Sequence, residues 1–150
     1  METQLKTVHG TFESMFQFQE SIFSNALDGI TESDALRVIS PHSNHINWLV
    51  GHIVHCRYML VNMLGVQQTN PFEDLYWKAS EAQSFSTLSD ISKEFFRISD
   101  LLKDALLNPL GDNSKATPEM ISFFIYHEAY HLGQIGYLRK ALGMGVMKSH

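Results

Sequence analysis

Residues 117–142 read TPEMISFFIYHEAYHLGQIGYLRKAL, and the fold can be worked outward from them. Thr117, Pro118 and Glu119 make a helix start: a capping hydroxyl, a proline whose missing N–H costs nothing in the first turn, and an acid near the positive end of the dipole. Phe124, His127, His131, Ile135 and Leu138 then recur at threes and fours, which puts them on one inward face, and Gly143 and Gly145 follow the helix. The same period runs through residues 3–27 (Phe12, Phe16, Phe23), closed by Asp28-Gly29. It runs again through 44–64 (Leu49, His52, Ile53, Cys56, Leu60), where Ser43 or Asn44 can cap and Gly65 stops. A further stretch, 87–108, has Ser86 or Thr87 as cap and Asn108-Pro109 as its end. Gly111 to Ala116 reads as a turn. With no strand pattern, repeat or low-complexity tract, this spacing predicts an all-α four-helix bundle with long connections. The break at 66–86 carries Phe72, Leu75, Tyr76, Trp77 and Phe85, too apolar for a free linker, so it is expected to wrap the bundle. If it spans the bundle's length, the second and third helices run parallel.

The chain of 150 residues, 44% hydrophobic and 18% charged, is one domain's worth with ample core material. A net charge of -5 argues against nucleic acid or an anionic membrane as partner, since both select clustered Lys and Arg. The single cysteine, Cys56, excludes an intrachain disulfide and fits a reducing, cytoplasmic setting. Residues 1–20 show no signal-peptide pattern, and no stretch approaches the ~18 apolar residues of a membrane span. Against that one cysteine stand eight histidines.

Two of them, in His127-Glu128-Ala129-Tyr130-His131, lie four residues apart. That spacing advances ~400° and rises ~6 Å, so both imidazoles share the inward face and can grip one ion. Glu128 projects aside, where a carboxylate can take a proton from a bound water. His-Glu-x-x-His is also a metalloprotease signature, but residues 132–149 hold no Asp, Glu or His to complete it, and no sheet edge exists for a peptide. The third ligand must then come from upstream. Of His45, His52 and His55, His52 is best placed, on the apolar stripe between Leu49 and Cys56, beside Gly51, where another helix or a ligand can approach closely.

Asn47-Trp48-Leu49-Val50-Gly51-His52-Ile53, followed far downstream by His127-Glu128-Ala129-Tyr130-His131-Leu132-Gly133-Gln134-Ile135, resembles the DinB/YfiT-like family of metalloenzymes. The resemblance implies a metal site between helices two and four with His52, His127 and His131 as ligands, over one domain spanning 1–150. His55 has no counterpart and is read as a neighbour or spare ligand. The ion implied is divalent, zinc or nickel first, with iron, cobalt or manganese also suited to three imidazoles. Relatives include S-transferases that use a low-molecular-weight thiol, so the resemblance implies a metal-dependent transferase or hydrolase acting on a small molecule; Glu128, from its place beside the histidine pair, is the candidate catalytic residue. A homodimer is expected on the same ground.

Other residues are read more plainly. Gln134, one turn past His131, can reach a ligand or bound water. Arg57 and Arg139 are expected at the surface, Cys56 as a small apolar filler, Tyr126 and Tyr130 in packing, and His9, His42 and His150 facing solvent. Two other functions remain open: a metal-stabilised bundle that binds or senses without catalysis, and an interaction module whose histidines are incidental.

Overall fold

Four helices form: α1 (Glu2–Leu27), α2 (Ile46–Met63), α3 (Leu88–Leu107) and α4 (Pro118–Ala141), with a short 3-10 turn at Asp34–Leu36. They come from a computed structural model that describes residues 2–78, 84–108 and 113–148; no strand occurs among these, and His150 and part of the turn expected at 111–116 fall outside them. Two helix starts follow the expected chemistry: Thr87 accepts from the Asp90 amide at 3.1 Å and Thr117 from the Met120 amide at 3.3 Å. The carboxylate of Glu32 adds bonds from the Leu88 and Ser89 amides at 2.7 and 3.3 Å, a negative charge on the positive end of α3.

The start of α2 differs from expectation. Neither Ser43 nor Asn44 caps it; His45 does, its Nδ1 accepting from the Trp48 amide at 3.0 Å. Ser43 is engaged in the preceding turn instead, its hydroxyl bonded to the Ser40 carbonyl and accepting from the Ile39 and Ser40 amides.

Contacts between the helices give their directions. Asn47, at the start of α2, donates to the carbonyl of Ser86 just before α3, so α2 and α3 are parallel. The end of α2 meets the start of α4, where the Lys115 amide donates to the Met63 carbonyl, so these two are antiparallel. α1 runs with α4 (Gln19 to Ile125, then Ala26 to Arg139) and against α3 (Phe23 on Phe95, then His9 on Leu106). The topology is therefore up-down-down-up, and the long 66–86 segment is the crossover that parallel neighbours require.

Tyr76 locks that crossover. Its ring is fully buried, and its hydroxyl donates to Asn47 Oδ1 and accepts from the Ser86 amide, both at 3.0 Å. The ring lies directly on Gly51, where a Cβ would overlap it. Gly51 thus admits a loop aromatic, neither a helix nor a ligand. Gly51→Ala is expected to destabilise the fold by ~1–3 kcal/mol through this overlap, read as a lower urea midpoint. An unchanged midpoint would mean that Tyr76 is not pinned there.

The largest departure from expectation is in the arginines. Arg57 is 1% exposed and Arg139 6%, neither of them on the surface. Arg57 uses all five N–H donors: Nε and Nη2 on the two carboxylate oxygens of Glu128 (2.9 and 2.7 Å), Nη1 on Glu20 (3.2 Å) and Ser99 (2.7 Å), and Nη2 again on the Phe16 carbonyl (3.3 Å). Its guanidinium also lies over the Phe95 ring, 4.4 Å from the centroid. One side chain of α2 thereby binds α1, α3 and α4 together. Arg139 donates to the Ala26 and Asp28 carbonyls at 2.9 and 2.7 Å, satisfying orphan acceptors at the C-terminal end of α1. No helix among the described residues is long and apolar enough to cross a membrane.

Candidate metal centre

Antiparallel packing of α2 and α4 sets His52 opposite His127 and His131. One ring nitrogen from each lies within 4.8 Å of the others, a group that can hold one metal ion. His127 Nε2 and His131 Nε2 are 3.1 Å apart. Two nitrogens bound ~2.1 Å from one ion at ordinary coordination angles sit roughly 3.0–3.4 Å apart, so this pair is already at chelating separation.

The outer partners decide which nitrogens are free. His52 Nδ1 lies 2.8 Å from the Tyr76 carbonyl, which only accepts, so Nδ1 carries the hydrogen and Nε2 keeps its lone pair. His131 Nδ1 lies 2.6 Å from Gln134 Oε1, with the same consequence. His127 Nδ1 is 3.7 Å from Cys56 Sγ, which also sits 3.7 Å from His52 Nε2. Each imidazole therefore has a partner that orients it, the arrangement that metal-binding histidines need. Trp48 stacks on His52 with ring centroids 4.6 Å apart, and Phe123 on His127 at 5.4 Å.

Burial keeps the group neutral. It pushes His52 down to about 4, and it lowers His127 and His131 from the ordinary imidazole value as well. His131 Nε2 turns its lone pair to His127 Nε2 at 3.1 Å; a neutral His127 can donate its hydrogen across that gap, and a divalent ion would take that hydrogen's place, so the donor set fits a metal. The pH consequence has a definite sign. Between about pH 6.5 and pH 4 the unfolded chain binds protons that folded His52 refuses, so stability falls as pH drops through that window. Metal-free protein should show a urea midpoint that declines from pH 7 to pH 5, with a shallower slope in His52→Ala. Equal slopes in the two proteins would contradict burial of a neutral His52.

Of the other expected site residues, Gln134 is brought to the cluster, directly on His131. His55 is not: it is half-buried, accepts from Asn70 Nδ2 at 3.2 Å, and stacks on Trp77. Glu128 is 3% exposed, with both carboxylate oxygens held by Arg57. Cys56 fills space as expected, its thiol pushed up to about 12 by burial, but it also touches two of the three histidines. Tyr126 and Tyr130 are exposed and do not pack in the core. His42 is exposed, whereas His9 is half-buried against the Leu106 carbonyl at 3.2 Å. Sequence reasoning missed Tyr76 as the partner of His52, because a backbone carbonyl in a loop leaves no side-chain signature.

A family profile, that of the DinB superfamily, matches residues 15–135, a span that contains all three histidines. The chain belongs to the DinB superfamily. Comparison with curated proteins and with solved structures found no match. Within this DinB-superfamily chain the matched span takes in the second half of α1 and all of α2 and α3, and it reaches past both histidines of α4.

Proposed function

We propose that the chain is a divalent-metal enzyme in which His52, His127 and His131 hold the ion, with zinc or nickel ahead of iron, cobalt or manganese. The observation that carries this reading is the 3.1 Å approach of His127 and His131 beside a buried neutral His52. A bound divalent ion would supply Lewis acidity, lowering the pKa of a thiol or water held at its open positions.

The chain's own residues do the rest. Tyr76 and Gln134 hold hydrogens on the outer nitrogens of His52 and His131, and Trp48 covers one face of His52 against water. Arg57 and Glu128 fix the register of α2 on α4: the arginine lies five residues after His52 and the glutamate one after His127. On this reading Glu128 is a positioning residue, because Arg57 occupies both of its oxygens. Cys56 is held as a thiol by burial, so the reacting sulfur comes from outside, and a low-molecular-weight thiol transferred to a small electrophile is the reaction we favour. A reducing, cytoplasmic setting follows from the same requirement. The exposed Val8, Met15 and Phe18 share a face of α1 on which two copies can pair as a homodimer.

A second reading has an observation of its own. His52 and His131 are only 6% and 8% exposed, which suits a closed metal site that stabilises the bundle without catalysis. Cobalt-substituted protein separates the two. Under the enzyme reading, cysteine or glutathione changes the cobalt absorption spectrum, and metal-loaded protein accelerates displacement of chloride from 1-chloro-2,4-dinitrobenzene by the thiol, an effect lost in His131→Ala. A cobalt spectrum indifferent to thiols, with no metal-dependent rate, supports the closed site.

A further inference from the structure

The motif that carries the two histidines of α4 also contains Gly133, which nothing in the metal site explains. A glycine inside a helix costs ~1 kcal/mol relative to alanine. Packing does not require it here, since a Cβ at Gly133 would meet nothing within 4 Å. What it opens onto is a groove of about 490 Å³ between α4 and the segment before α2.

The groove has the form of a small-molecule site. Tyr130 and Tyr137, 53% and 68% exposed, stand seven residues apart on the Gly133 face, leaving a bay ~10 Å long between two aromatic rings. Leu49 and Leu138 are buried beneath it, and Ser43 and Asn44 form the facing wall. No Asp, Glu, Lys or Arg lines it, and the exposed His42 is its one imidazole, so no fixed charge there selects a charged ligand over a neutral one. Gln134 stands at one end. Its Oε1 faces His131 Nδ1, while its Nε2 donors and the Asn44 side-chain amide have no protein partner among the described residues.

We infer that this groove binds a neutral, flat aromatic molecule, seated over Gly133 between Tyr130 and Tyr137, with a polar atom accepting from Gln134. The ring stacks on tyrosine faces, and the polar end meets the residue that orients His131. Binding in the groove does not depend on the metal; that the ligand is the electrophile of the proposed reaction rests on the metal-enzyme reading.

The test uses 6-propionyl-2-(dimethylamino)naphthalene, a neutral, flat two-ring dye whose carbonyl can accept a hydrogen bond, titrated into metal-free and zinc-treated protein. Saturable fluorescence enhancement is expected in both. Gly133→Leu, whose Cβ meets no atom within 4 Å and whose side chain extends into the bay, is expected to bind about tenfold more weakly while its melting temperature stays level or rises. Tyr137→Ala, a change at an exposed position, should weaken binding several-fold, and Phe18→Ala on α1 should leave it unchanged. No saturable binding by wild type, or wild-type affinity in both Gly133→Leu and Tyr137→Ala, overturns the groove. So does a loss in Phe18→Ala as large as that in the groove variants. Dye binding by a chain that takes up no zinc supports the groove and overturns the metal reading, which keeps the two failures apart.

Discussion

Arg57→Ala is expected to cost roughly 3–5 kcal/mol of folding free energy, the range for breaking a buried ion pair from one side. The reason is what the substitution leaves behind. Glu128 is 3% exposed and loses both of its carboxylate bonds, while Ser99 and the Phe16 carbonyl lose their donor. The cavity beside Phe95 adds to the loss, because the guanidinium packs on that ring. A loss of this size consumes a large share of the ~5–15 kcal/mol that holds a domain folded. The double variant Arg57→Met, Glu128→Leu should recover most of the stability, since it removes the stranded charge and keeps apolar volume. Urea denaturation of the three proteins checks this. If Arg57→Ala cost no more than a surface substitution, the four-helix junction at Arg57 would be refuted.

The second large effect is that of the ion. A ligand that binds only the folded state stabilises by ~4 kcal/mol at a thousandfold excess over its dissociation constant. For a chain of this size that corresponds to a rise in melting temperature of roughly 10 °C. Adding zinc or nickel to chelator-treated protein should produce such a shift, and excess EDTA should reverse it. His52→Ala should show no shift, because His127 and His131 alone offer two nitrogens of the three that converge. The His55→Ala protein should respond like wild type, since His55 turns toward Asn70 and Trp77. A full shift in His52→Ala would place the ion elsewhere.

Why some of this was legible in the sequence and some was not follows from where each signal resides. Local signals read well: the threonine caps at Thr87 and Thr117, the stop at Gly65, and the four-residue spacing of His127 and His131 depend on neighbours in the chain. The cap of α2 did not, because the hydroxyl of Ser43 had a competing turn to close and an imidazole nitrogen took its place. The buried arginines did not either. A charged side chain is ordinarily at the surface, and what brings Arg57 inside is three side-chain partners 37, 42 and 71 residues away, with a backbone carbonyl 41 away. A trace of it was present all the same. Arg57 is the one Asp, Glu, Lys or Arg in α2, in a helix with no polar face, and Glu128 is the one acid in the interior of α4. Antiparallel helices that bring His52 to His131 also bring Arg57 to Glu128, so the histidines and the ion pair report the same register. Tyr76 depended wholly on the crossover's path, which no periodicity encodes.

Metal analysis of purified, untagged protein after dialysis tests the central claim most directly, with wild type measured beside His52→Ala and His131→Ala. The three-histidine site requires about one divalent ion per chain in wild type and almost none in either variant, with the helical circular dichroism of all three alike. Full metal content in both variants, or none in wild type after loading with zinc or nickel, would contradict it.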